Sequence, residues 1–386
     1  MNLDLSQEQR LIQEIARDFA RTELEPIAAQ LDKNPDRAVL LANLKKLAEL
    51  GFVGMNIREV YGGSETGVVA FSLATTELAR ACAAIAGTLS VNNMVAEVIQ
   101  AVGSEEQKQR HIPKICSGEY AAASFCLTET CAGSDPAGMR TTAIKDGDFY
   151  IINGAKIFIS SAPYAGVFVV WAVTDKTTPK GKGISCFLVE AGTPGLTIGK
   201  EEHKMGQRIA ATNELIFTDC RVPATAMMGK LNDGFRIAVA ELAGGRIGVG
   251  SLALGIGLAA IDAATRYAAE REQFGQKITN FQAIQWMIAD TYTELEAARL
   301  LLINAAFLKE NKRPFAKQAS MAKVYASEGA NRACYRALQM MGGYGYTEDF
   351  PVERYARDAR ITTIYEGTSE MQRLIIAREV LRELAL

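Results

Sequence analysis

Histidine is almost missing from this chain: 386 residues hold two, His111 and His203. A histidine-based catalytic triad is therefore a poor starting point, and both read as surface or structural residues. Seven cysteines are scattered at 82, 116, 126, 131, 186, 220 and 334. Their odd number and the lack of any CxxC pair give no support to a disulfide framework or a zinc site. A net charge of -2 leaves no electrostatic footprint for nucleic acid. Neither common glycine-rich phosphate loop is present. Long hydrophobic runs are also lacking. The longest uncharged stretches, Ala81–Ala96 and Ile247–Ile261, fall short of the roughly 20 apolar residues of a membrane span. The N-terminus, MNLDLSQEQRLIQEIARDFA, is polar and acidic where a secretory signal is basic and then apolar. The expectation is a soluble protein of a reducing compartment, cytoplasmic or, after removal of a transit peptide, mitochondrial matrix.

What is present is an ordinary globular composition, 48% hydrophobic and 22% charged, in a chain long enough for two or three domains. The first third reads as helix. Leu11, Ile12, Ile15, Ala16, Phe19 and Ala20 recur at helical spacing. AVLLANLKKLAELGF ends at a stop glycine, Gly51. Ser104 and Gln107, three apart, form a capping-box signature. Near residue 120 the character changes to short β-rich runs. Asp146-Gly147 and Asn153-Gly154 are hairpin-turn dipeptides between such runs, which predicts an antiparallel sheet of about one hundred residues. From NDGFRIAVAELAGGRIG onward long amphipathic stretches return, enough for a helical bundle.

Four stretches carry possible chemistry. CLTETCAGSDPAG (126–138) combines hydroxyls, acids and glycines, and taken alone is equally a well-bonded loop. QMMGGYGYTEDFPVERYARD (339–358) reads as a helix C-cap, or as glycines that let a ligand approach the backbone. REQFGQ (271–276) offers an arginine and an aromatic after a helix, or a plain surface turn. ITTIYEGTSEMQ (361–372) sets an acid, Glu366, between Tyr365 and Gly367.

Together these stretches, in this order, resemble the acyl-CoA dehydrogenase family over essentially the whole chain. CLTETCAGSDPAG is similar to the family's first signature, QMMGGYGYTEDFPVERYARD to its second, and IYEGTSEMQRLIIAR to its catalytic segment. The resemblance implies an α+β fold: an N-terminal helical domain (1–120), a middle antiparallel β domain, barrel-like (121–230), and a C-terminal four-helix bundle (231–386). It implies FAD, an acyl-CoA substrate, a homotetramer and electron-transferring flavoprotein as acceptor, in fatty acid β-oxidation. By the same likeness Phe125, Leu127 and Thr128 line the flavin, and Phe158 and Ser160 flank its ring. Arg271, Phe274 and Gln282 reach the FAD of a neighbouring subunit. Gln339 and Gly343 close around its adenine half, and Thr368 meets the diphosphate. Ser134 serves cofactor and CoA alike, and Arg246 lies near the CoA. Tyr365 walls the acyl pocket, and Gly367 lets a flat thioester lie close to the backbone.

Glu366 matches the family's base, which takes the pro-R α-proton while hydride leaves the β-carbon for flavin N5. A weakly acidic α-C–H needs such a positioned base and a stabilised enolate. An apolar pocket should raise the pKa of this carboxyl toward neutrality. Ser369 and Gln372 read as a capping box for the helix that follows. A second base position, used by some members, falls here on Gly245. GGRIG and LSVNN resemble the short-chain, butyryl-CoA branch. Two departures stand out: Glu129-Thr130-Cys131 where the family has Glu-Pro-Gly or Glu-Pro-Asn, and Ala243 where it often has Asp. They leave a branched or cyclic acyl group open. The competing readings are an acyl-CoA oxidase using O₂, a non-catalytic flavin- or acyl-CoA-binding scaffold, and a helical interaction module with an inserted sheet.

Overall fold

A computed structural model describes residues 4–385. Six helices open the chain: α1 (Gln7–Phe19), α2 (Glu25–Lys33), α3 (Arg37–Glu49), α4 (Val68–Ala81), α5 (Ala83–Val102) and α6 (Glu105–Cys116). The expected stop follows α3, with Gly51 at φ +78°. Ser104 and Gln107 form a reciprocal capping box at the start of α6.

Eight strands follow: β1 (Ala122–Cys126), β2 (Thr142–Asp146), β3 (Phe149–Ser160), β4 (Ala165–Val173), β5 (Ile184–Glu190), β6 (Leu196–Glu201), β7 (Thr212–Pro223) and β8 (Met227–Met228). They lie in the order β6-β7-β3-β2-β4-β5-β8, with β1 added beside β4. The sheet is not purely antiparallel, as the spacing of turn signals suggested. β1 pairs with β4 in parallel, from Ala123 opposite Val167 to Cys126 opposite Val170, and β2 touches β4 in parallel at Thr142. The cause is topological: the chain leaves β1 by a loop and returns through the β2–β3 hairpin, a crossover that a turn dipeptide does not reveal. The path ends at β6 on one side and β8 on the other, so the described sheet does not close as a barrel.

Asp146-Gly147 does form the β2–β3 turn. Asn153-Gly154 does not turn. It lies inside β3, where the register against β7 shifts between Ile152 and Gly154. Gly154 holds φ +144°, and a Cβ there would lie 2.5 Å from Thr141 Oγ1 and 2.7 Å from its Cα. The extra residue of this bulge lies on β7, since Ile152 to Gly154 faces Cys220 to Phe217, and the close approach of Thr141 leaves room at 154 for glycine alone.

The C-terminal helices are α7 (Gly234–Glu270), α8 (Gln282–Glu310), α9 (Ala316–Met341), α10 (Val352–Arg360) and α11 (Ser369–Glu383). A two-strand ribbon, β9 (Glu272–Gln273) with β10 (Gln276–Lys277), joins α7 to α8. Four long helices make the bundle and the short α10 packs on α7 and α9. By length and composition α7 could cross a membrane, but 78% of its apolar window is buried inside the protein. It is the core helix. Its small residues admit close neighbours: a Cβ at Gly255 would lie 2.3 Å from Thr76 O of α4.

β4 shows how the regions join. Val167, Val169 and Trp171 belong to the core shared with the helices, while Phe168, Val170 and Ala172 face a second core on the other side of the sheet. Trp171 Nε1 donates to Gly234 O at 2.8 Å, tying the sheet to the start of α7.

Candidate active site

After α10 a single 3₁₀ turn (Ile361–Thr363) carries the chain to Glu366 at φ +54° and Gly367 at φ +86°. Two successive left-handed residues reverse the backbone before α11 starts. An αL conformation at a non-glycine residue is costly and needs support from its surroundings. The support is visible. Gln372, fully buried, donates from Nε2 to Glu366 O at 3.1 Å and to Gly367 O at 2.8 Å. Lys323 of α9, also fully buried, donates from Nζ to Gly367 O at 2.8 Å.

The expected capping box at Ser369 is corrected here. Thr368 is the N-cap, its Oγ1 accepting from Met371 N at 3.3 Å, and Gln372 is turned back to the loop. The need for glycine at 367 is also local: besides its φ, a Cβ would lie 2.8 Å from Gln372 Nε2.

Glu366 points its carboxylate at α7. Oε2 is shielded from solvent and has no hydrogen-bond partner. It faces Gly245, where a Cβ would lie 2.9 Å from Oε2 and 2.9 Å from Met94 Sδ of α5. The second base position read from the sequence thus faces this carboxylate, and a side chain there would displace it. Burial pushes the Glu366 carboxyl up, against the cations of Arg246 and Lys323. Arg246 lies buried in the core, donating from Nη1 to Ser320 Oγ at 3.3 Å, with its Nε unpartnered. Burial depresses Lys323 to about 8 despite the pull of Glu366. The Glu366 carboxyl therefore sits between two cations that temper the rise of its pKa.

Tyr365 is anchored to the sheet side: its hydroxyl accepts from Gln207 Nε2 at 3.4 Å. Gln207 in turn donates through Nε2 to Asp358 O at 3.2 Å and through its backbone N to Asp358 Oδ1. Burial pushes the Asp358 carboxyl up to about 6.

The other expected residues fall into two groups. Phe125, Leu127, Thr128, Phe158 and Ser160 gather along β1, the loop after it and the end of β3. Phe125 packs on Trp171 with ring centroids 4.3 Å apart. Thr128 O accepts from Ile157 N at 2.9 Å, joining loop to strand. Ser160 O accepts from Ser124 Oγ at 2.7 Å. Phe158, at φ +59°, leaves 60% of its surface exposed. Ser134 is exposed further along the same loop. An exposed aromatic in a strained conformation, next to partly open hydroxyls and main chain, fits a planar ring resting on this strand edge.

Under that edge lies a feature the sequence reading missed. Lys156 of β3, fully buried, donates from Nζ to Glu129 Oε1 at 2.8 Å and to Leu127 O at 3.2 Å. Glu129 also accepts from Arg140 N at 2.6 Å and Thr141 N at 3.0 Å. The unusual Cys131 is exposed beside it.

Arg271, Phe274, Gln282, Gln339 and Gly343 form the second group. They lie exposed on the bundle surface. Phe274, at the tip of the ribbon, is 93% exposed. Arg271 lies over the Tyr344 ring, 5.7 Å from its centroid.

Fold and site thus define a chain of helix, sheet and helix with a shielded carboxylate oxygen, free of hydrogen bonds, facing α7 and α5. Three family models match in succession: acyl-CoA dehydrogenase N-terminal domain (residues 6–119), middle domain (124–220) and C-terminal domain (232–381). The chain belongs to the acyl-CoA dehydrogenase family. It is 46% identical to the NADH-linked acryloyl-CoA reductase of Anaerotignum propionicum, over 99% of this chain and 96% of that one. Butyryl-CoA dehydrogenase of Megasphaera elsdenii superposes with a TM-score of 0.95 at 40% identity, over 99% of this chain and 100% of that one. A chain from the work on the electron-transferring flavoprotein of Acidaminococcus fermentans superposes with a TM-score of 0.96 at 44% identity, over 99% and 100%.

Proposed function

We infer that the protein is an FAD-dependent acyl-CoA dehydrogenase acting on a short acyl chain, with Glu366 as its base. The observation that carries this reading is Glu366 Oε2: shielded, without a partner, and aimed at a glycine of α7 that leaves room in front of it. A structural acid would be paired. FAD, when bound, supplies the acceptor for the hydride from the β-carbon.

The chain's own residues do the rest. Glu366 takes the α-proton, and burial keeps its carboxyl basic enough to hold that proton. Lys323 and Gln372 fix the loop that aims it. Arg246 acts on Glu366 through charge from within the core, and Tyr365 forms a wall held by Gln207. Phe125, Leu127, Thr128, Phe158 and Ser160 form the shelf for the flavin, with Ser134 at its outer end.

Thr368 carries its diphosphate contact in addition to its cap. The exposure of Arg271, Phe274 and Gln282 supports their reaching a neighbouring subunit's cofactor in a homotetramer, with Gln339 and Gly343 beside it. Electrons then pass to electron-transferring flavoprotein, in keeping with the similar chain from the Acidaminococcus work.

The test is anaerobic addition of butyryl-CoA to the purified yellow protein, followed by electron-transferring flavoprotein. Bleaching that the flavoprotein reverses supports the reading. Bleaching reversed only by O₂ favours an oxidase, and no bleaching with any acyl-CoA favours a scaffold.

A further inference from the structure

The face of α7 that meets Glu366 also carries charge that the reaction does not require. Glu241 lies one turn before Gly245, so the two share a face. Between them Gly244 has no side chain. A Cβ there would lie 2.6 Å from Lys309 Nζ and 3.9 Å from Glu241 Oε1. Lys309, from the last turn of α8, pairs with Glu97 of α5. Glu97 Oε1 also accepts from Asn56 Nδ2 at 2.6 Å, while Asn56 Oδ1 is buried without a partner.

Three helices thus bring a carboxyl, an ammonium and a carboxylate one residue's step from the point where Gly245 faces Glu366 Oε2. The group is not sealed. The side chains of Glu97 and Lys309 keep 14% and 20% of their surface, and Glu241 is half-buried. Among the described residues the Glu241 carboxyl has no hydrogen-bond partner. Burial and the charge of Glu97 push its carboxyl up to about 8 against Lys309, which favours its protonated form. On the far side of Gly245, Arg246 turns into the core toward Ser320. Gly244 and the cluster thus continue, toward the start of α7, the surface that Gly245 presents to Glu366.

We propose that Glu241, Lys309 and Glu97 form a polar end of the acyl pocket and select short acyl thioesters that carry a hydroxyl near the far end of the chain. This rests on Glu366 being the base that holds the α-carbon beside Gly245. An all-carbon chain pressed on the cluster strips water from an ammonium and a carboxyl and returns nothing. A terminal carboxylate at the cluster meets the carboxylate of Glu97, whose ammonium partner Lys309 is already engaged. A hydroxyl accepts from Lys309 or Glu241 and donates to Glu97. The terminal group itself takes no part: one proton leaves the α-carbon and one hydride the β-carbon, as for any acyl-CoA.

The experiment measures kcat/KM for butyryl-CoA, 4-hydroxybutyryl-CoA and succinyl-CoA, with wild type, Glu241→Leu and Glu241→Gln. A site built for a hydroxyl discriminates strongly against the analogue that lacks it. The expected result is 4-hydroxybutyryl-CoA ahead of both others by about tenfold or more. Glu241→Leu lowers that preference by about tenfold, and Glu241→Gln, neutral and nearly the same shape, retains most of it. Dehydrogenation of butyryl-CoA with equal or lower activity on the hydroxylated thioester overturns this proposal alone. So does a wild-type preference that Glu241→Leu leaves intact. No reaction with any of the three overturns the dehydrogenation reading and this proposal with it.

Discussion

Replacing Lys156 by Met removes an ammonium from a fully buried site and leaves the Glu129 carboxylate inside the protein without its counter-charge. Burial by itself pushes the Glu129 carboxyl up, but Lys156, the Arg140 N–H and the Thr141 side chain outweigh it and hold the pKa below the usual range. Breaking a buried pair by deleting one partner costs roughly 3–5 kcal/mol. Glu129 keeps two backbone donors at 2.6 and 3.0 Å, which places the loss near the lower end, about 3 kcal/mol. Denaturant unfolding of the flavin-free protein reads this directly. A double variant, Glu129→Gln with Lys156→Met, leaves no uncompensated charge and should recover part of the loss, about 1 kcal/mol or more relative to Lys156→Met. Lys156 also holds Leu127 O, so the single variant should retain less flavin on gel filtration. A loss below about 1 kcal/mol for Lys156→Met, or a double variant no more stable than the single, would refute the reasoning.

Lys323→Met removes the bond to Gly367 O and a cation that lowers the pKa of Glu366. Its kcat should fall by about tenfold or more, with the pH profile of flavin reduction moved to higher pH. Gly245→Ala sets a methyl group 2.9 Å from Glu366 Oε2 and Met94 Sδ. Steady-state kinetics should show kcat/KM reduced by about tenfold or more, since a displaced base loses its alignment. Asp358 titrates at about 6 in the fold, above an ordinary carboxyl. A raised folded pKa favours the fold when the group is protonated, so this contribution is lost as pH rises from the ordinary value through about 6. Unfolding measured across that range should show the slope in wild type and a reduced one in Asp358→Asn.

The helix–sheet–helix order was legible because hydrophobic spacing changes twice along the chain, near residue 120 and again near 231. Local punctuation was legible too. Gly51, Asp146-Gly147, Gly342 and the Ser104–Gln107 box each act through residues within one turn of themselves. What failed was set by distant partners. Asn153-Gly154 has the composition of a turn, but Thr141 and β7 decide its conformation. The parallel pairing of β1 with β4 has no local marker. Ser369 and Gln372 match a capping pattern shifted by one residue, because Thr368 takes the cap and the open carbonyls of Glu366 and Gly367 claim Gln372. Among the candidate site residues Glu366 drew notice through its resemblance to the family motif, and the glycine at 245 through the second base position. Lys323 left one trace: it sits on the buried stripe of α9 with Ala319, Ala322, Ala326 and Ala330, where a charge must have a partner. Lys156 keeps the two-residue period of Tyr150 and Ile152, but the partner that lets a lysine be buried, Glu129, lies in a separate loop that the strand pattern does not reveal.

The most direct measurement is the rate of flavin reduction by butyryl-CoA in stopped flow, across pH, for wild type and Glu366→Gln. The amide removes the base and leaves the fold of the loop, which is held through its main chain. The rate should drop by about 10²–10⁴-fold in the variant, the range for loss of a positioned general base. In wild type it should rise with pH through a midpoint above that of an ordinary carboxyl, as burial of Glu366 requires. A Glu366→Gln variant that reduces its flavin within about tenfold of wild type would contradict the account, because the proton would then leave by another route.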